Sequence, residues 1–223
     1  MCIDAISYLL GKKNGGSSGG RDWSAIGYTS EPQVIIDGYN YAKQIYDNWD
    51  ASITQRNSYF QDNYNLIYMP NVDFSNVESA ISLFKNCYSL QYVPSINTSN
   101  ISQFSTMFSG CSSLKNIEEL NCEKATKLTS MFSSTNSLNR LGGFKDLGKA
   151  YSTTQSANYS NYTLNLSSCE LLTHDSLMNV INNLYDIKTK GCNNQSLVLG
   201  STNLAKLTAE EIAIATNKGW NVS

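Results

Sequence analysis

Met107-Phe-Ser-Gly-Cys-Ser-Ser-Leu114 recurs 24 residues upstream as Leu83-Phe-Lys-Asn-Cys-Tyr-Ser-Leu90 and 24 residues downstream as Met131-Phe-Ser-Ser-Thr-Asn-Ser-Leu138. A fourth, weaker copy, Tyr59-Phe-Gln-Asp-Asn-Tyr-Asn-Leu66, stands one further period upstream. Phe60, Phe84, Phe108 and Phe132 share a column, as do Leu66, Leu90, Leu114 and Leu138. Two more apolar columns follow, through Met69, Val93, Ile117 and Leu141 and through Val72, Ile96, Leu120 and Phe144. Four apolar columns at one period without insertion mean that each segment buries its apolar edge against the next.

Within each segment, a stretch such as Leu90-Gln-Tyr-Val93 reads as a short strand of a parallel sheet. The stretch Val77-Glu-Ser-Ala-Ile-Ser-Leu-Phe84 reads as a helical turn or short helix on the opposite face. Between them, Asp73-Phe-Ser-Asn76 and Asn97-Thr-Ser-Asn100 read as turns whose short side chains bond nearby backbone groups. The expected fold is therefore an α/β leucine-rich-repeat solenoid with 24-residue repeats over 59–148.

The ends should cap it. Residues 21–58 hold an N-terminal helical cap, with apolar spacing predicting an amphipathic helix between Glu31 and Asp50, behind Pro32. Residues 149–223 hold an irregular polar loop and a C-terminal α/β capping module. In that module Thr173 and Thr208 are N-cap candidates, and Thr208 with Glu211 forms a capping box before a helix that Gly219 stops. Thr163 to Leu166, Gln195 to Leu199 and Trp220 to Val222 read as strands. Residues 1–20 differ in kind. An apolar peptide bearing Ile6, Tyr8, Leu9 and Leu10 precedes the Gly/Ser tether Asn14-Gly-Gly-Ser-Ser-Gly-Gly20, the pattern of a segment that docks on a partner.

The repeat units resemble the BspA-like leucine-rich repeat family, whose mark is an MF-x-x-C-x-S-L unit followed by an Asn/Asp-Thr-Ser-Asn turn. Leu83 to Leu90 and Met107 to Leu114 match, Met131 to Leu138 departs by placing Thr135 in the Cys position, and 171–185 with 199–207 resembles the module that closes such repeats. The start of the chain is also similar to that of small virion proteins of gut phages. The resemblance implies a non-enzymatic role in adhesion or binding: a phage virion protein of tail, fibre or decoration type, held in several copies to other virion proteins by its N-terminal segment. The alternative is a bacterial cell-surface adhesin. A host-surface glycan or protein is the implied ligand.

Composition agrees with binding rather than chemistry. Among 223 residues, charged ones make up 15% and the net charge is -2, while 31 Ser and 26 Asn supply an uncharged polar exterior. There is no cationic footprint for nucleic acid. The single histidine, His174, excludes sites that recruit several imidazoles. A Cys169–His174 dyad is conceivable, but Thr173-His174-Asp175 reads first as helix N-terminal chemistry. The six cysteines contain no CxxC pair, and Cys87 and Cys111, equivalent in adjacent segments, read as reduced core thiols. No metal or cofactor site is expected; the Asp73, Asn97, Asn121 column could offer oxygens to calcium, but reads first as a ladder of Asx turns. No apolar run is long enough to span a membrane, and the N-terminus lacks the charge order of an export signal.

The candidate ligand face is the one flanking the strand column. Tyr68, Tyr92, Asn116 and Arg140 occupy one register position there, with Glu118 in the next column. Aromatic rings beside amide, carboxylate and guanidinium tips are the chemistry of a saccharide or peptide contact strip.

Overall fold

The computed structural model describes residues 33–151, 163–188 and 195–223. Helix α1 (Gln33–Asp47) leads, followed by strands β1 (Tyr92–Val93), β2 (Asn116–Ile117), β3 (Leu120–Asn121), β4 (Arg140–Leu141) and β5 (Phe144–Lys145). A 3-10 turn at Lys149–Tyr151 precedes β6 (Thr163–Asn165), α2 (His174–Asn183), β7 (Gln195–Val198), α3 (Gly200–Leu204), α4 (Ala209–Asn217) and β8 (Trp220–Val222). The strands form three small parallel sheets, ordered β1-β2-β4, β3-β5 and β6-β7-β8.

This mixed α/β arrangement corrects the expected α/β leucine-rich-repeat solenoid. The helices are short and sit at the two ends of the described chain, and no helix occurs between Asp47 and the 3-10 turn. What the periodic region contains is parallel pairing at the sequence period. Tyr92 pairs Asn116 and Asn116 pairs Arg140, while isolated bridges join Gln55 to Ser79, Ser79 to Gln103 and Gln103 to Lys127.

The backbone of Val77 to Phe84 shows why the helix does not form. Ala80, Ser82, Phe84 and Asn86 donate their N–H groups to the carbonyls of Gln103, Ser105, Met107 and Ser109 in the next segment, at 3.0, 2.9, 2.9 and 2.8 Å. Every second donor is thus committed between segments, where a helix would keep it four residues away. The alternation needs left-handed residues. Ser58, Ser82, Thr106 and Ser130 lie at φ of 55, 56, 54 and 53°, and Asp62, Asn86, Gly110 and Ser134 at 60, 59, 79 and 58°. A left-handed β-branched residue such as Thr106 is strained by about 1–2 kcal/mol. Compensation comes from its hydroxyl, which donates to the Ser105 carbonyl at 2.7 Å and lies 2.7 Å from Ser82 Oγ.

Inside the stack the Phe60, Phe84, Phe108 and Phe132 rings pile at 5.5 Å centroid spacing. All four are buried. Trp49 continues the pile upstream, 6.5 Å from Phe60 and 13° from parallel, and Phe144 ends it downstream edge-on at 63°. The buried Arg56 covers Trp49, its guanidinium 3.9 Å from that ring centroid, and donates to the Asp50 carbonyl. Helix α1 closes over the same end. Gly38 lets it approach, since a Cβ there would stand 3.1 Å from Ile67 Cδ1, and Tyr41 accepts a hydrogen bond from Asn63.

At the other end Thr173 caps α2 by accepting from the Ser176 N–H, and Thr208 with Glu211 forms the reciprocal capping box of α4. Gly219 follows that helix at φ 94°. Trp220 is buried and donates from Nε1 to the Tyr185 carbonyl. Among the described residues no helix is long and apolar enough to cross a membrane.

Candidate functional site

The pairing register places Tyr68, Tyr92, Asn116 and Arg140 side by side, with Glu118 beside them. It does not turn them all outward. Tyr68 and Tyr92 are only 4% and 5% exposed and pack with Ile67, and Pro70 and Pro94 are buried as well. Helix α1 accounts for the upstream part, because Gly38 lies against Ile67 and Tyr68. Tyr92 points its hydroxyl at Glu118 Oε1, 3.4 Å away, and Asn116 Nδ2 donates to the same oxygen at 3.2 Å. Burial first, and the Glu118 carboxylate second, push the Tyr92 phenol up to about 12. Stacked tyrosine faces for a sugar are therefore not presented here. Asn116 and Glu118 are half-buried, and Arg140 alone is exposed, lining a hollow of about 670 Å³ with Asp175 and Asn179. The docking residues Ile6, Tyr8, Leu9 and Leu10 lie outside the described residues.

A more open surface runs along the neighbouring edge, of which the sequence points only to the Asp73, Asn97, Asn121 column, as Asx turns first and as oxygens for calcium second. It is a groove of about 560 Å³ whose sides are two polar columns in the 24-residue register. One column is Asn71, Ser95 and Glu119. The other is Asp73, Asn97 and Asn121, continued by Lys145, with the Val72 and Ile96 side of the core forming its floor. Three members of the second column are fixed by their own turns. Asp73, Asn97 and Asn121 each accept, through Oδ1, the N–H two residues on, at 2.8, 3.2 and 3.0 Å. For Asp73 this hydrogen bonding holds the carboxyl below its ordinary range. One side-chain oxygen of each is thus engaged by the backbone, and among the described residues no group of three or more metal-ligating side chains converges.

The remaining chemistry-bearing groups are tied to structure. Cys87 and Cys111 donate from Sγ to the carbonyls of Phe60 and Phe84, and Thr135 does the same to Phe108, all at 2.9 Å. The column requires a short donor, which is why threonine replaces cysteine in the last copy. Burial pushes Cys87 and Cys169 up to about 12, and raises Cys111 and Cys122 too, away from thiolate reactivity. His174 is half-exposed, and its Nε2 lies 2.8 Å from Glu211 Oε1, with Asp175 3.7 Å from Nδ1. That hydrogen bond to Glu211 raises the imidazole pKa above its ordinary value. It joins two helices and is not directed at a thiol.

The class defined by these observations is a mixed α/β protein of parallel-paired 24-residue segments that carries columns of polar side chains on its faces. A family model described as "Mycoplasma protein of unknown function, DUF285" matches residues 33–161, more than half the chain, and the protein belongs to that family. No curated protein and no solved structure matches it.

Proposed function

We propose that the chain is a non-enzymatic binding module that holds an elongated, neutral polar polymer, a glycan strand, in the groove between the Asn71/Ser95/Glu119 and Asp73/Asn97/Asn121 columns. The observation that carries this reading is the groove's construction. A pair of polar side chains stands at each step of the paired segments, Asn71 with Asp73, Ser95 with Asn97 and Glu119 with Asn121, so a polymer lying lengthwise meets hydrogen-bonding partners at every step. Buried thiols and a histidine engaged by carboxylates support a role without catalysis. The carrier under this reading is the phage particle implied by the resemblance, with the bacterial surface as the alternative; co-purification with virions separates them.

The test is binding of the full chain to an array of neutral bacterial polysaccharides, beside Ser95→Trp, which fills the middle of the groove from an exposed position. Loss of binding at unchanged melting temperature is expected. Equal binding by Ser95→Trp, or no neutral glycan retained by the unaltered protein, overturns the groove.

A further inference from the structure

We propose that Tyr88, backed by Tyr64, forms a stacking platform for a single neutral hexopyranose ring, at a site distinct from the amide-lined groove. Both tyrosines are surface residues, 58% and 44% exposed for Tyr64 and Tyr88, yet their rings are ordered against each other at 5.6 Å and 8°. They repeat on the outside what the phenylalanines do inside. The phenylalanine pile runs through four segments because each supplies a ring, whereas this outer pile stops after two. The next two segments place Ser112 and Asn136 in that column, both exposed. The downstream face of Tyr88 therefore looks onto a level where the ring is missing.

A second feature lowers the surface at the same level. Gly110 follows Asp62 and Asn86 in the left-handed column, and a Cβ there would stand 2.4 Å from Asn86 Oδ1. Asn86 donates its Nδ2 to Asp62 Oδ1 at 2.9 Å, which turns its own Oδ1 over Gly110. Among the described residues no donor meets that oxygen. The open level thus has an aromatic face on one side, an acceptor at its edge, and a hydroxyl and an amide in the Ser112 and Asn136 positions.

That set fits a pyranose ring. Its C–H face can lie on the Tyr88 ring in the slot a third tyrosine would have filled, while its hydroxyls donate to Asn86 Oδ1 and exchange hydrogen bonds with Ser112 and Asn136. The lining groups are uncharged, which favours a neutral sugar. The site takes the same ligand class as the groove and so rests on the reading of the chain as a glycan binder, but it uses different residues.

Saturation-transfer NMR on the full chain with methyl β-D-galactopyranoside and methyl β-D-glucopyranoside tests it. Transfer to the ring C–H protons of at least one sugar is expected, weakened about two- to twelvefold in Tyr88→Ala, the value of one aromatic stacking contact. Ser112→Leu, which fills the vacant level with an aliphatic side chain and without removing a core contact, should remove the same transfer, and melting temperature checks that each variant is folded. The platform is read as the transfer lost in Tyr88→Ala and the groove as the polysaccharide binding lost in Ser95→Trp, so a failed groove and a failed platform give different patterns. Absence of transfer to either sugar from the unaltered protein, or transfer as strong in Ser112→Leu as in the unaltered protein, overturns the platform.

Discussion

A single hydrogen bond decides the identity of the Cys87, Cys111, Thr135 column. Each of these side chains satisfies a buried carbonyl three residues before the equivalent position in the preceding segment. Cys111→Thr should therefore be tolerated, whereas Cys111→Val removes one of the two hydrogen bonds that the Phe84 carbonyl accepts, the other coming from the Cys87 N–H at 3.0 Å, and should cost about 0.5–1.5 kcal/mol. Urea unfolding measures the difference, and a valine variant as stable as the threonine one would show that only size matters. Phe108 tests the neighbouring column. It is fully buried between Phe84 and Phe132, so Phe108→Ala should cost about 3–5 kcal/mol through lost burial and the cavity left behind. A loss below about 1 kcal/mol would be incompatible with a ring that fills the space between its neighbours.

At the scale of elements, the link between α2 and α4 is the one that pH should move. His174 Nε2 bonds Glu211 Oε1, and Glu211 also closes the α4 capping box. The raised histidine pKa contributes stability that is fully present below the unfolded value of 6.5 and is lost as pH rises through the higher folded value. Glu211 has the opposite sign. The Thr208 N–H first, and His174 second, lower its pKa, so its contribution is present above 4.5 and lost as pH falls through the folded value. Thermal stability of the C-terminal module should therefore be greatest between about 4.5 and 6.5. His174→Gln should flatten the decline on the alkaline side; an unaltered profile would mean that the pair contributes nothing.

Elements also show what the sequence could and could not reveal. The helix between Glu31 and Asp50, the strands after Leu90 and Leu114 and the Thr208 capping box were legible, because each depends on neighbours in the chain. The supposed helix at Val77 to Phe84 was not. Val77, Ala80 and Phe84 have helical spacing and are buried, but the same residues point inward when the turn alternates with left-handed Ser82. The Asp62, Asn86, Gly110 column carried the available signal, since these residue types accept positive φ most readily. Burial of Tyr68 was hidden for another reason: it is imposed by Gly38 of α1, which no repeat register reports. The outer tyrosine pair was visible in principle, as Tyr64 and Tyr88 are 24 residues apart in aligned copies.

For the molecule as a whole, the periodic region from Gln55 to Lys145 follows from pairing between segments one period apart. It piles the phenylalanines, lines the groove with two polar columns, and sets Tyr88 above a level that lacks a ring. The most direct test uses the Ser82 and Thr106 hydroxyls, 2.7 Å apart across adjacent segments. Cysteines introduced as Ser82→Cys with Thr106→Cys should join under mild oxidation, since side-chain atoms so close lie within reach of a disulfide. The native cysteines at 87, 111, 122 and 169 are buried and should not compete, and Cys2 and Cys192, outside the described residues, are replaced by serine in both pairs. Peptide mapping by mass spectrometry is predicted to find residues 82 and 106 linked in the folded protein, and no link in the control pair Ser82→Cys with Ser130→Cys, two periods apart. Absence of the 82–106 link, or a link between 82 and 130 instead, would contradict the pairing on which the rest depends.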